Sequence, residues 1–142
     1  MFLDLIDIQI LELLSENARL RLTEMAAKLE LTAPAVKYRI QRLIETGIIH
    51  KFTIQIDRKK VGYDVLAFLI IYAISKTQIG FIVKRLKQFP EISKIITLMG
   101  DPDIVSEINV TSMNCFIELL KKISQIDEIQ TFKTWFIMDI IH

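Results

Sequence analysis

TAPAVKYRIQRLIETG, residues 32–47, decides how the first half of the chain folds. Proline near its start suits a first helical turn, whose amides need no partner within the helix. Gly47 suits the left-handed position at which helices end. Between them Val36, Ile40, Leu43 and Ile44 gather on one side of a wheel drawn at about 100° per residue. Pro34, Tyr38, Gln41, Arg42 and Glu45 fall opposite, with Lys37 and Arg39 on the flanks. The stretch predicts a helix from Ala33 or Pro34 to Thr46. One face is apolar and packs inward; the other mixes aromatic, amide and cationic groups.

Upstream, the tripeptide Glu30-Leu31-Thr32 separates this helix from a shorter one, Glu24 to Leu29. Thr23 reads as its cap, with Met25, Ala26 and Leu29 inward. Before that, Ile6, Ile10, Leu13 and Leu14 make an apolar stripe on a helix from Leu3 to Leu14. Asp4 is its expected N-cap, and Asp7 three residues on gives a weak capping box. Downstream, Ile49, Lys51, Thr53 and Gln55 alternate with His50, Phe52, Ile54 and Ile56. That alternation predicts a strand from Ile48 to Ile56, pairing as a wing. Three helices with a tight turn before the third, then a wing, give a winged helix-turn-helix over residues 1–56. In that arrangement the third helix enters the major groove of double-stranded DNA.

On that reading the DNA-contacting residues are Thr32, Pro34, Lys37, Tyr38, Arg39, Gln41, Arg42 and Lys51. Gln41 can bond the adenine edge bidentately, and Arg42 can take guanine or phosphate. Lys37, Arg39 and Lys51 are placed to neutralise phosphates, which adds affinity without sequence information. A plain solvated helix has the same periodicity; the tight turn and the wing favour DNA. Net charge gives no help. It is +1 overall, with ten Lys/Arg against eight Asp/Glu in residues 1–60 and eight against nine in residues 61–142.

Composition is that of a globular protein, half apolar and one quarter charged. One cysteine makes no internal disulfide, so a cytoplasmic location is the expectation. No secretion signal opens the chain, and the apolar run from Val65 to Ile74 is far short of the roughly 20 residues of a membrane helix.

Residues 57–64, polar and broken by Gly62, read as a linker. Residues 65–142 change pattern. Strands at Val65–Ser75, Ile92–Met99, Ile104–Val110 and Gln130–Met138 alternate with helices at Gln78–Phe89 and from Ser112 to about Ile123. This β-α-β-β-α-β order is the ferredoxin-like pattern, so the fold class is α+β. The first strand is apolar on both faces: Val65, Ala67, Leu69, Ile71 and Ala73 against Leu66, Phe68, Ile70, Tyr72 and Ile74. Two helices cover one face of such a sheet. The other predicts a second copy packed sheet to sheet, burying about 800 Å² per partner.

The chain resembles the Lrp/AsnC family of transcriptional regulators along its whole length. The carriers are residues 5–11 (LIDIQIL), 23–26 (TEMA), 36–43 (VKYRIQRL), 45–49 (ETGII), Ile56-Asp57, Val61-Gly62-Tyr63 and 99–103 (MGDPD). The resemblance implies a sequence-specific DNA-binding regulator that dimerises through its second domain and assembles further into octamers. It implies a small effector, such as an amino acid, bound between second domains near Gly100, Asp101, Pro102 and Asp103. Two positions depart from the family pattern. Pro34 lies one position late, and Pro102 stiffens the turn beside the effector site. Composition alone favours a simple turn at 100–103, and the resemblance tips the reading to an effector-contacting loop.

Enzyme chemistry finds little support, so no catalytic residue, metal or cofactor is expected. There is no phosphate-binding glycine loop and no zinc spacing; Cys115 reads as a core residue. His50 lies on the wing and His142 at the end of the sequence. The alternative is a metabolite-binding or haem-precursor decarboxylase module of the same architecture that does not bind DNA.

Overall fold

The computed structural model describes residues 3–140, so His142 lies outside the described residues. It divides into two units, with the division between Gln55 and Ile56.

The first unit holds α1 (Leu5–Glu16), α2 (Leu22–Lys28) and α3 (Ala33–Glu45). The capping box at α1 is complete. The Asp7 amide donates to Asp4 Oδ1 at 2.8 Å, and the Asp4 amide donates to Asp7 Oδ2 at 3.2 Å. α2 departs from expectation at its start: Arg21, not Thr23, occupies the N-cap and makes no side-chain cap bond. Leu22, packed against the core of this unit, draws the helix start two residues upstream. α3 begins as expected, with Thr32 Oγ1 accepting the Ala35 amide at 3.4 Å. It ends at Gly47, whose φ of +74° lets the Ile48 and Ile49 amides turn back onto the Leu43 carbonyl. Ile10, Met25, Ala26, Val36 and Leu43 are buried together. Ile44, expected inward, is 39% exposed because it sits at the edge of the stripe.

The wing strand is not formed. Residues 50–56 have no ladder partner among the described residues, and Phe52, Ile54 and Ile56 stand exposed. Alternation marks a segment fit for pairing, but a strand exists only where a second strand takes its hydrogen bonds.

The second unit holds β1 (Val65–Ala73), α4 (Ile79–Leu86), β2 (Ile92–Thr97), β3 (Ile104–Val110), α5 (Met113–Ile123) and β4 (Ile129–Phe136). The antiparallel sheet runs β2-β3-β1-β4, the expected ferredoxin-like order. A 3-10 turn at Lys76–Gln78 delays α4 by one residue. β2 ends at Thr97, and one further bond in the same register follows, the Leu98 amide donating to the Asp103 carbonyl at 2.8 Å. One sheet face, led by Ala67, Leu69, Ile71, Ile104 and Ile108, packs on Ile82 and Leu86 of α4 and on Phe116, Leu119 and Ile123 of α5.

The other face carries Leu66, Phe68, Ile70 and Tyr72 of β1. Phe68 pairs across to Trp135 and Glu107, and Ile70 to Lys133 and Val105. Leu66 and Ile70 are already buried and Phe68 and Tyr72 half-buried, so the apolar patch is smaller than the alternation predicts. Trp135, beside Phe68 on the edge strand β4, remains 59% exposed. No helix among the described residues is long and apolar enough to cross a membrane.

Candidate nucleic-acid interface

Exposed side chains on α3 begin with its cap. Thr32, Pro34, Lys37, Tyr38 and Gln41 all reach solvent, Tyr38 at 68% exposure. Gln41 Nε2 donates to Glu45 Oε1 at 3.0 Å, a one-turn bond that holds the amide along the helix. Lys51 is exposed on the unpaired segment after Gly47.

Arg39 and Arg42 lie elsewhere. Arg39 Nη1 donates to Asp4 Oδ2 at 2.7 Å and to Asp7 Oδ1 at 2.8 Å; Arg42 Nη2 donates to Asp7 Oδ2 at 2.7 Å. Asp7 is fully buried, and each of its oxygens takes one guanidinium. Arg39 sits on the flank of the wheel and Arg42 on the side opposite the core, and periodicity does not say which way so long a side chain turns. The sequence does carry a signal: Asp4 and Asp7 are three apart on α1, and Arg39 and Arg42 three apart on α3. Two such rows match when the helices pack. The Asp7 amide, then Arg39, holds the Asp4 carboxyl below the usual carboxylate range, and Asp4, then Asp7, pushes the Arg39 guanidinium up. Asp4 therefore supports the folded unit above its ordinary pKa, and that support fades as pH falls through its lowered one.

In the second unit, Gly100 to Asp103 form the turn between β2 and β3. Gly100 and Asp101 are exposed and Pro102 half-buried, while Asp103 is buried. Its amide donates to the Ile71 carbonyl at 3.1 Å, and its Oδ2 accepts the Ala73 amide at 2.8 Å. Asp103 thus finishes the end of β1, a backbone task the sequence did not reveal. Asp103→Ala leaves the buried Ala73 amide without its acceptor and is expected to cost about 1–3 kcal/mol. Urea unfolding followed by Trp135 fluorescence measures it, and an unchanged midpoint contradicts this role.

Cys115 corrects a second expectation. It is exposed in the first turn of α5, one step off the apolar stripe of Phe116, Leu119 and Ile123. Ser112, whose Oγ accepts the Cys115 amide, and Thr111 draw the thiol pKa down. Open grooves occur among the described residues. One of about 730 Å³ lies in the first unit between Leu11, Leu14, His50 and Phe52, and one of about 290 Å³ beside the start of β4. Neither includes a residue of the 100–103 turn.

Residues 3–50 match the family of winged helix-turn-helix DNA-binding domains, and residues 67–142 match the Lrp/AsnC ligand binding domain. The chain belongs to the Lrp/AsnC family. An uncharacterised HTH-type transcriptional regulator of Pyrococcus horikoshii is 31% identical over 133 residues, which cover 93% of this chain and 84% of that protein. The solved structure of E. coli AsnC superposes with a TM-score of 0.85 at 27% identity, covering 100% of this chain and 97% of that one. A Neisseria meningitidis transcriptional regulator, solved as an L-Met complex, shares the fold with a TM-score of 0.87 at 24% identity. It covers 99% of this chain and 93% of its own. This Lrp/AsnC protein is a DNA-binding transcriptional regulator. The linker residues that carry the resemblance have a local reason: Gly62 at φ +95° lets the Tyr63 amide reach the Arg58 carbonyl, and the Arg58 guanidinium stands 5.7 Å from the Tyr63 ring centre.

Proposed function

We propose that α3 reads operator sequence through Tyr38 and Gln41, oriented by Thr32, Pro34 and Lys37 at its N-terminal end and by Lys51 beyond Gly47. The exposed Tyr38 and Gln41 pair, one turn apart on the face opposite the core, carries this reading. Selection of bound duplexes from a random pool tests it. Gln41→Ala is expected to change the selected sequence, whereas Lys51→Ala weakens all duplexes alike and makes the salt slope shallower by about 0.9. Failure to enrich any duplex at low salt defeats it.

The working unit is a homodimer joined through the open sheet face around Phe68 and Trp135, able to assemble into octamers. The exposed Trp135 beside the half-buried Phe68 supports it. A small effector, an amino acid in the first instance, binds at the 100–103 turn of paired second units. Asp101 and the exposed backbone of Gly100 are the groups free to meet it, since Asp103 is bonded to β1. The site calls for a second copy, because one turn alone makes only a rim. The reading contains no catalytic step and places the protein in the cytoplasm. A metabolite-binding or decarboxylase module without DNA binding would leave the Tyr38–Gln41 face without a partner.

A further inference from the structure

α3 and its border carry three cations, and the structure treats them unequally. Lys37 is exposed, while the side chains of Arg39 and Arg42 retain only 23% and 35% of their exposure. Their charges are matched one for one by Asp4 and Asp7, so the four-residue cluster is neutral. The hold on Arg42 is firm enough that its Nε stays buried with no hydrogen-bond partner. A side chain positioned for its own hydration would expose that donor; this one is positioned for Asp7.

Phosphate contacts raise affinity for every sequence alike, and each cation set on a phosphate steepens the salt dependence by about 0.9 in log–log slope. Sequence is read through base edges and DNA shape, not through phosphate contacts. A cation withheld from phosphate therefore lowers non-specific binding more than specific binding. We propose that Asp7, assisted by Asp4, withholds Arg39 and Arg42 from the DNA backbone and is a specificity-determining residue of this regulator. Asp7 touches no DNA and acts through the arginines, so it is a positioning residue. The inference rests on the reading that α3 faces DNA.

The test measures binding of the full chain to a selected operator and to a random-sequence duplex across a potassium chloride series. Asp7→Asn and Asp4→Asn each leave one guanidinium charge unmatched. Each is expected to steepen the random-duplex slope by about 0.9 and to lower the operator-to-random affinity ratio roughly three- to tenfold. Glu12→Gln, the same charge change at an exposed position of α1, is the control and leaves both readouts at the parental values. Adding Arg42→Gln to Asp7→Asn returns the slope towards the parental one, and does so by more than Arg42→Gln changes the parent itself.

A merely structural role for Asp7 gives the opposite signature, with both affinities falling and the slope flat or shallower. If Asp7→Asn does not fold by circular dichroism, Asp4→Asn decides alone: Asp4 is half-exposed and asparagine caps a helix as well as aspartate does. Unchanged slopes in the aspartate variants, or equal steepening in Glu12→Gln, overturn the inference while the DNA reading stands. No duplex binding by the unaltered protein defeats the DNA reading instead.

Discussion

Trp135→Glu is expected to make the protein monomeric and to lower its affinity for a two-half-site operator at least about a hundredfold. Trp135 is exposed in the protomer, so its replacement changes protomer stability within about 0.5 kcal/mol. The loss falls on association. Across a two-fold axis the substitution counts twice, replacing two indoles beside Phe68 by two carboxylates that must be desolvated in the contact. Each unpaired buried charge costs several kcal/mol, and about 1.4 kcal/mol is already tenfold in association. Coupled readers gain about 10²–10⁴ in avidity, which a monomer forfeits on half-sites about 34–36 Å apart. Sedimentation velocity checks the first step, with a mass near 16.5 kDa for the variant. Trp135→Phe keeps the apolar surface and is expected to stay dimeric. A Trp135→Glu protein that sediments as a dimer rules out this face as the interface.

That prediction uses a feature legible in the sequence: β1 alternates two apolar sets, and only one faces the helices. The bounds of β3 were equally legible, since Ile104, Ser106, Ile108 and Val110 keep strict alternation between a turn and a helix cap. α3 was read correctly because Pro34, Gly47 and the stripe agree on one helix. What resisted reading shares a physical cause, namely dependence on a partner distant in the chain. The 48–56 alternation needs a second strand, and none of the described residues supplies one. Arg39 and Arg42 read as cations near DNA until α1 brings Asp7 within 2.8 Å of both. Asp103 reads as a turn residue until the Ala73 amide, 30 positions away, is found on its carboxylate. Cys115 was misplaced for a different reason: a helix rich in apolar residues still turns some positions to solvent, and residue 115 precedes the stripe by one step.

The second large expected effect concerns the size of the first unit. Leu43→Ala is expected to unfold the DNA-binding unit while leaving the second unit folded. Five buried apolar residues form the centre of the first unit among the described residues, against thirteen in the second. Leu43 is fully buried, so truncation costs about 2.7–5 kcal/mol from lost transfer energy and the cavity left behind. Small units rest at the low end of the usual 5–15 kcal/mol, so this loss is most or all of what holds the three helices together. The substitution also loosens the end of α3, because the Leu43 carbonyl accepts both the Ile48 and Ile49 amides. The single tryptophan lies in β4, which separates the two responses. Far-ultraviolet circular dichroism is expected to lose helical signal at room temperature, while the urea midpoint reported by Trp135 fluorescence stays at the parental value. Duplex binding disappears and sheet-face dimerisation persists. One transition seen alike by both probes, with the Trp135 midpoint lowered as far as the helical one, would show that the two units fold as one.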